Sequence, residues 1–216
     1  MSGLVVRELS TGLWLWEVVE PAGSGRSVAS VYFEAPSHVV LIDPVLPADG
    51  GPDRERFLAH LERDLDRVGL PLAVVLTSAS GVCDSAFFEE RYGATVDGES
   101  VDERREIIPG VGAILLGDGR SGRRIVTIPA HRAVFCGEII FGRGGGGLQL
   151  GPRCATRLTV EDPQVRLVEK LRAFAPQAVL VARGESILRN GAQAIDALLV
   201  TGRDSFEECE FSKIWP

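Results

Sequence analysis

The chain is predicted to be an α/β protein in the α+β sense, with two packed sheets and helices on the outside. Three observations predict it. β-rich runs fall in two groups, residues 14–44 with 72–76 and residues 125–136 with 178–181, and helical stretches accompany each group. Two segments, Pro52–Val68 and Pro163–Phe174, repeat their apolar residues at the 3 and 4 spacing of one helical face. A continuous apolar run, 72–76 and then 178–181, follows each of them closely, as expected of a strand covered on both sides.

Taken in order, residues 14–19, 28–34 and 38–44 are the opening strands, the last reading His-Val-Val-Leu-Ile-Asp-Pro. The first helix presents Phe57, Leu58, Leu61, Leu65 and Val68 on one face. Pro52 and Asp53 start it, and Gly69 and Pro71 end it. The strand at 72–76 ends in Thr77, a small-residue loop follows, and an amphipathic helix with Phe87, Phe88 and Tyr92 opens near Asp84, which stands where an N-cap belongs and would accept a helix N–H. Residues 125–128 and 133–136 flank a turn at 129–132. The glycine-rich run 142–147 is expected to be a mobile surface loop after a strand, because a phosphate cradle would need a helix directly behind it and the lysine of a P-loop. The second amphipathic helix carries Val165, Val168, Leu171 and Phe174, with residues 159–162 as its capping region. A helical stretch at 190–200 follows the last strand, and no repeat of fixed period is present.

Composition excludes several functions. With 216 residues, 45% of them apolar, the chain is long enough to bury roughly 70% of its unfolded surface. The formal net charge is −7, no basic stripe appears, and Lys170 and Lys213 are the only lysines, so nucleic acid is not an expected partner. No run approaches the ~20 apolar residues of a membrane span, and the first residues lack a basic start followed by an apolar stretch, so a cytoplasmic protein is expected. Cys83, Cys136, Cys154 and Cys209 are widely spaced, and reduced thiols are the expectation.

Residues 74–84 read Val-Val-Leu-Thr-Ser-Ala-Ser-Gly-Val-Cys-Asp. In order and spacing this resembles the metallo-β-lactamase fold family, in which a strand ending in Thr leads to His-x-His-x-Asp-His at the opening of a helix. The family's four ligand places then fall on Ser78, Ser80, Val82 and Cys83, of which Cys83 alone would bind a metal well. The Asp that ends the family's opening strands is matched by Asp43. Gly117-Asp118-Gly119-Arg120-Ser121-Gly122 stands where the family has Pro-Gly-His-Thr-x-Gly, which puts Gly119 at the fourth histidine. Gly137-Glu138 replaces a Gly-Asp whose carboxylate bridges two metals, and Arg183, before Gly184, occupies the last histidine's place. The resemblance covers about residues 10–200. It implies a four-layer αββα sandwich of two mixed sheets, one domain over 1–216, with 201–216 as a C-terminal tail.

What it implies about chemistry is mostly loss. Bound zinc lowers the pKa of water from 15.7 to about 7, which removes roughly 12 kcal/mol of deprotonation cost. Serines at the ligand places cannot do this, and His38, His60 and His131 lie at none of those places. The expectation is a metal-free, non-catalytic member of the fold, without a cofactor, that binds a ligand or a protein or serves a structural role. The alternative is a hydrolase of esters, thioesters or phosphodiesters with a rebuilt or single-metal site using Cys83, Glu138 and Arg183, with Asp43 or Asp84 nearby. Arg183 is expected either to pair with Glu138, and with Asp43, in place of the metals or to point to solvent. Ser78, Ser80, the helix start at Asp84 and Arg183 could together hold a small anion. A protein partner or a homodimer contact is the other expected interaction, and the apolar tail of Phe206, Phe211, Ile214 and Trp215 is a candidate surface for it unless it packs on its own domain.

Overall fold

The computed structural model describes residues 3–19, 27–78, 83–98, 106–116, 123–151 and 163–204. Its first sheet holds β1 (Leu4–Ser10), β2 (Leu13–Val19), β3 (Ser27–Glu34), β4 (Val39–Ile42), β5 (Leu72–Val75) and β6 (Thr95–Asp97) in sequence order. β1 to β4 are antiparallel neighbours, whereas β4, β5 and β6 run parallel. Parallel neighbours need crossovers, which α1 (Pro52–Val68) and α2 (Ser85–Tyr92) supply. The second sheet holds β7 (Glu106–Ile108), β8 (Val111–Leu115), β9 (Arg124–Ile128), β10 (Ala133–Phe135) and β13 (Ala178–Leu180), ordered β13-β10-β9-β8-β7. β10 and β13 are parallel and the other neighbours antiparallel, so both sheets are mixed. A separate hairpin joins β11 (Ile140–Arg143) to β12 (Gly147–Leu150), and α3 (Pro163–Phe174) and α4 (Gly191–Asp204) complete the order.

Strand alternation builds four layers. Leu13 and Leu15 of β2, Val40 and Ile42 of β4, and Ala73 and Val75 of β5 point inward, against Val126, Ile128, Phe135 and Leu180 of the second sheet. Their neighbours Trp16, Val18, Val39, Leu41, Leu72 and Val74 point outward, under Leu61 of α1 and Phe88 of α2. Val134 and Val179 of the second sheet face Leu167, Val168 and Leu171 of α3 and Ile195 and Leu198 of α4. Each buried side chain of this size contributes about 1.5–3 kcal/mol of transfer free energy, so the three clusters lock the order helix, sheet, sheet, helix.

α1 forms for the reasons its sequence gives. Proline opens it, where a missing N–H costs nothing, and Gly69, at φ 67°, closes it with its N–H on Leu65 O at 2.8 Å. α3 spans the expected range, and residues 159–162 before it lie outside the described residues.

Other elements depart from expectation. The first sheet begins at Leu4, earlier than residue 10, because β1 adds an edge strand exposed on both faces that carries almost no apolar alternation. The glycine-rich run is no loose loop. Gly142 lies in β11 and Gly147 in β12, and only residues 144–146 turn, with Gly145 and Gly146 at φ 78° and 81°.

Candidate functional site at the edge of the sandwich

The chain leaves β4, β5, β10 and β13 at one edge of the sandwich, and hydrogen bonds tie these exits together. Ser78 makes an isolated antiparallel bridge to Arg123, and Arg124 N–H donates to Thr77 O at 2.9 Å, which joins the end of β5 to the start of β9. Ala182 N–H donates to Gly137 O at 3.2 Å, and Ala29 N–H to Ala182 O at 2.8 Å, so the second sheet's loops are stitched to the first sheet. Residues following the strands of both sheets therefore converge here.

Asp43 is the most constrained of them. It sits just after β4 with φ 44°, in the left-handed region that Asp tolerates better than most residues. Its N–H donates to Val75 O at 3.1 Å, and its C=O accepts from the buried Ser30 hydroxyl at 2.7 Å. Its carboxylate takes Thr77 N–H on Oδ1 at 2.7 Å and the Thr77 hydroxyl on Oδ2. Asp43 keeps some solvent contact, but desolvation still dominates and pushes its pKa up to about 6; the two Thr77 hydrogen bonds and the Arg124 charge pull it down, and the Glu138 charge pushes it up. The expected pairing of Asp43 with Arg183 is thus corrected. Thr77 takes both carboxylate oxygens, and the cation acting on them is Arg124.

Glu138 and Arg183 do meet. Arg183 Nε lies 3.3 Å from Glu138 Oε1, with the two side chains 26% and 50% exposed. The turn before Glu138 needs glycine, since Gly137 has φ 53° and a Cβ there would lie 2.1 Å from Thr77 Oγ1. A pair this exposed is worth at most about 1 kcal/mol. Arg183→Gln is therefore expected to change the urea-denaturation free energy by no more than about 1 kcal/mol. A loss several times larger would mean that the pair is held far more tightly than its exposure implies.

Cys83 and Asp84 serve the α1–α2 layer. Cys83 is half-buried against the cluster of Leu46, Leu61 and Phe88, and its thiol donates to Ser85 Oγ at 3.5 Å. Asp84 holds the N-cap position of α2 without a side-chain cap, which corrects the expected helix bond. Its φ and ψ of −98° and 32° are not the extended geometry that swings a cap over the first turn. The carboxylate instead accepts Leu46 N–H at 2.7 Å, while Asp84 N–H donates to Pro44 O at 2.7 Å, so Asp84 fastens the loop after Asp43.

The residue that sequence reasoning passed over is Arg124. It is buried, with Nε on Leu76 O at 2.7 Å and Nη2 on Asp97 O at 2.6 Å and on Asp97 Oδ1 at 2.7 Å. A signal for it existed. In β9, Arg124 shares its parity with Val126 and Ile128, the inward face of a strand buried at all five positions.

Solved structures share this architecture. A metallo-β-lactamase from Hirschia baltica superposes with a TM-score of 0.59 at 17% identity, over 90% of this chain and 98% of that one. One from Erythrobacter litoralis gives 0.60 at 14% identity, over 94% and 93%. The mono-zinc form of the Pseudomonas aeruginosa metallo-β-lactamase FIM-1 gives 0.56 at 15% identity, over 94% and 97%. The chain has the metallo-β-lactamase fold. No family model matches its sequence, and neither does any curated protein.

The resemblance in sequence sets seven residues of this chain at the ligand places of the metallo-β-lactamase fold. Ser80, Val82 and Gly119 lie outside the described residues. Of the others, Ser78 offers a hydroxyl, Cys83 packs with the helices, and Glu138 is paired with the cation at Arg183's place. Among the described residues no three of His, Cys, Asp and Glu come together as a metal-binding group. The histidines are engaged elsewhere: His38 with Ser37 at 2.9 Å, His60 with Arg63 on α1, and His131 with Ser10 at 2.7 Å and edge-on to Phe33. These residues do not fit the fold's metals. An open depression between Arg132, Gln177, Arg189 and Gln193 lies at the other ends of β10 and β13, away from this edge.

Proposed function

We propose that this chain is a metal-free member of the metallo-β-lactamase fold that works by binding, either a small anion at the sandwich edge or a protein partner, and not by zinc-dependent hydrolysis. One observation carries the reading: Glu138, the one carboxylate at a ligand place, has a guanidinium from another ligand place beside it at 3.3 Å. A carboxylate that coordinates a metal cannot also be neutralised by an adjacent arginine without weakening the metal. Arg183 keeps a quarter of its side chain in solvent, so an anion arriving at the edge would meet a donor fork there. A symmetric homodimer and a cytoplasmic location belong to the same proposal. No helix among the described residues is long and apolar enough to cross a membrane.

The rebuilt hydrolase finds less support, because Cys83 hydrogen-bonds to Ser85 and packs with α1 and α2 while Glu138 and Arg183 face one another. Elemental analysis of protein purified without chelator is expected to find zinc, iron and manganese well below one equivalent. Panels of esters, thioesters and phosphodiesters are expected to show no turnover above that of Arg183→Ala and Cys83→Ala controls. One tightly held metal per chain would end the proposal, and so would turnover that those substitutions abolish.

A further inference from the structure

A charged side chain stands on the inward face of β9, where its neighbours on that face, Val126 and Ile128, belong to the apolar core between the sheets. Arg124 is buried there and spends its donors on the other sheet: on Leu76 O after β5, and on the main-chain oxygen and the carboxylate of Asp97 at the end of β6. Its own N–H reaches Thr77 O, and Arg123 beside it bridges Ser78, the first of the fold's ligand places. Its charge also acts on the Asp43 carboxylate.

These contacts match what a bound cation would do at this edge. The fold's ligand places lie on loops from both sheets, so a metal there both balances carboxylates and ties the sheets together. Without Arg124, the main-chain oxygens of Leu76 and Asp97 and the Asp97 carboxylate would lose the donors that reach them from β9, and the desolvated Asp43 carboxylate would lose a positive charge that acts on it. Packing alone does not call for arginine at position 124, because an apolar side chain would suit that face of β9. A planar fork with several donors suits two main-chain oxygens and a carboxylate better than lysine would.

We propose that Arg124 is a built-in cation, a guanidinium that takes over the charge-balancing and sheet-joining work of metal at this edge of the fold. The inference rests on the metal-free reading above and adds the separate claim that the charge of Arg124 holds the edge together.

The test is chemical rescue. Arg124→Ala is expected to lower the thermal midpoint, and guanidinium chloride at sub-denaturing concentration is expected to restore part of the loss. Urea, its neutral planar counterpart, and sodium chloride at equal ionic strength are expected to restore none. Recovery by no additive, or by all three equally, would overturn the inference. Should Arg124→Ala not fold, Arg124→Met is compared in the natural chain and in an Asp43→Asn, Asp97→Asn background. The midpoint is expected to fall less in the neutralised background, whereas an equal fall would reduce Arg124 to a packing residue. Stoichiometric metal in the natural protein sinks the metal-free reading and this inference together, while a metal-free protein without rescue or coupling sinks this inference alone.

Discussion

Replacing Asp43 by Asn is expected to stabilise the folded chain at about pH 8 and to leave it nearly unchanged at about pH 4. Burial raises the Asp43 carboxyl from 3.8 to about 6, so the folded chain holds this proton more tightly than the unfolded chain does. A group raised in this way adds stability fully below its unfolded value and loses it as pH rises through its folded value. The window is therefore 3.8 to about 6, and the loss across it is up to about 3 kcal/mol. The Asp43→Asn side chain would keep the geometry. Its carbonyl can accept Thr77 N–H and its amide can donate to the Thr77 hydroxyl, which now turns to accept, and asparagine tolerates the left-handed backbone at φ 44°. Urea denaturation of both proteins across this pH range provides the measurement. The same fall in stability with pH in the Asp43→Asn variant would show that some other group titrates, and a lower stability at every pH would show that Arg124 needs the carboxylate more than burial opposes it.

That balance explains why the fold was legible in the sequence and the site only in part. Periodicity and unbroken apolar runs report which faces are buried, so α1, α3 and the covered strands β4, β5 and β13 could be read from the stretches around Leu61, Leu171, Val40, Val75 and Leu180. β1 escaped because an edge strand exposed on both faces has no buried side to impose an alternation, and Val5 and Val6 remain 46% and 50% exposed. β6 and β7 are as short as β10 and β13 but lack their buried apolar run, since both residues that open β6 and the one that opens β7 are exposed. In the site, charge gave Glu138 and Arg183 a reason to meet but left open whether Arg183 turned to solvent instead, and the structure pairs them. The partner of Asp43 did not follow, because Thr77 reaches it through a main-chain N–H as well as a hydroxyl, and main-chain donors leave no trace in residue type. Arg124 could have been found by setting its parity against that of Val126 and Ile128, which makes a charged residue inside the core an anomaly in need of an account.

Gly142→Ala is expected to be strongly damaging, and the glycine-rich run owes that sensitivity to where its first residue lies. A Cβ on Gly142 would sit 2.1 Å from Glu185 O and 2.4 Å from Glu185 N, both main-chain atoms that cannot rotate away. The contact is reciprocal. Gly184, at φ 86°, would place its own Cβ 2.2 Å from Gly142 O, and Gly142 N–H donates to Arg183 O at 3.0 Å. Two glycines therefore let β11 lie directly on the turn that carries Arg183, and any side chain between them must push that turn outward. Overpacking against side chains usually costs about 1–3 kcal/mol, and a main-chain wall that cannot relax by changing rotamer puts this variant at the upper end or beyond. Displacing the turn should also separate Arg183 from Glu138, so hydrogen exchange at residues 183–185 is expected to rise together with the loss of stability. Gly144→Ala is the control: it lies in the hairpin turn with nothing within 4 Å of its would-be Cβ and no positive φ, and it should stay close to the natural protein. Equal behaviour of the two variants would show that the run matters only as a turn and that β11 does not brace the Arg183 loop.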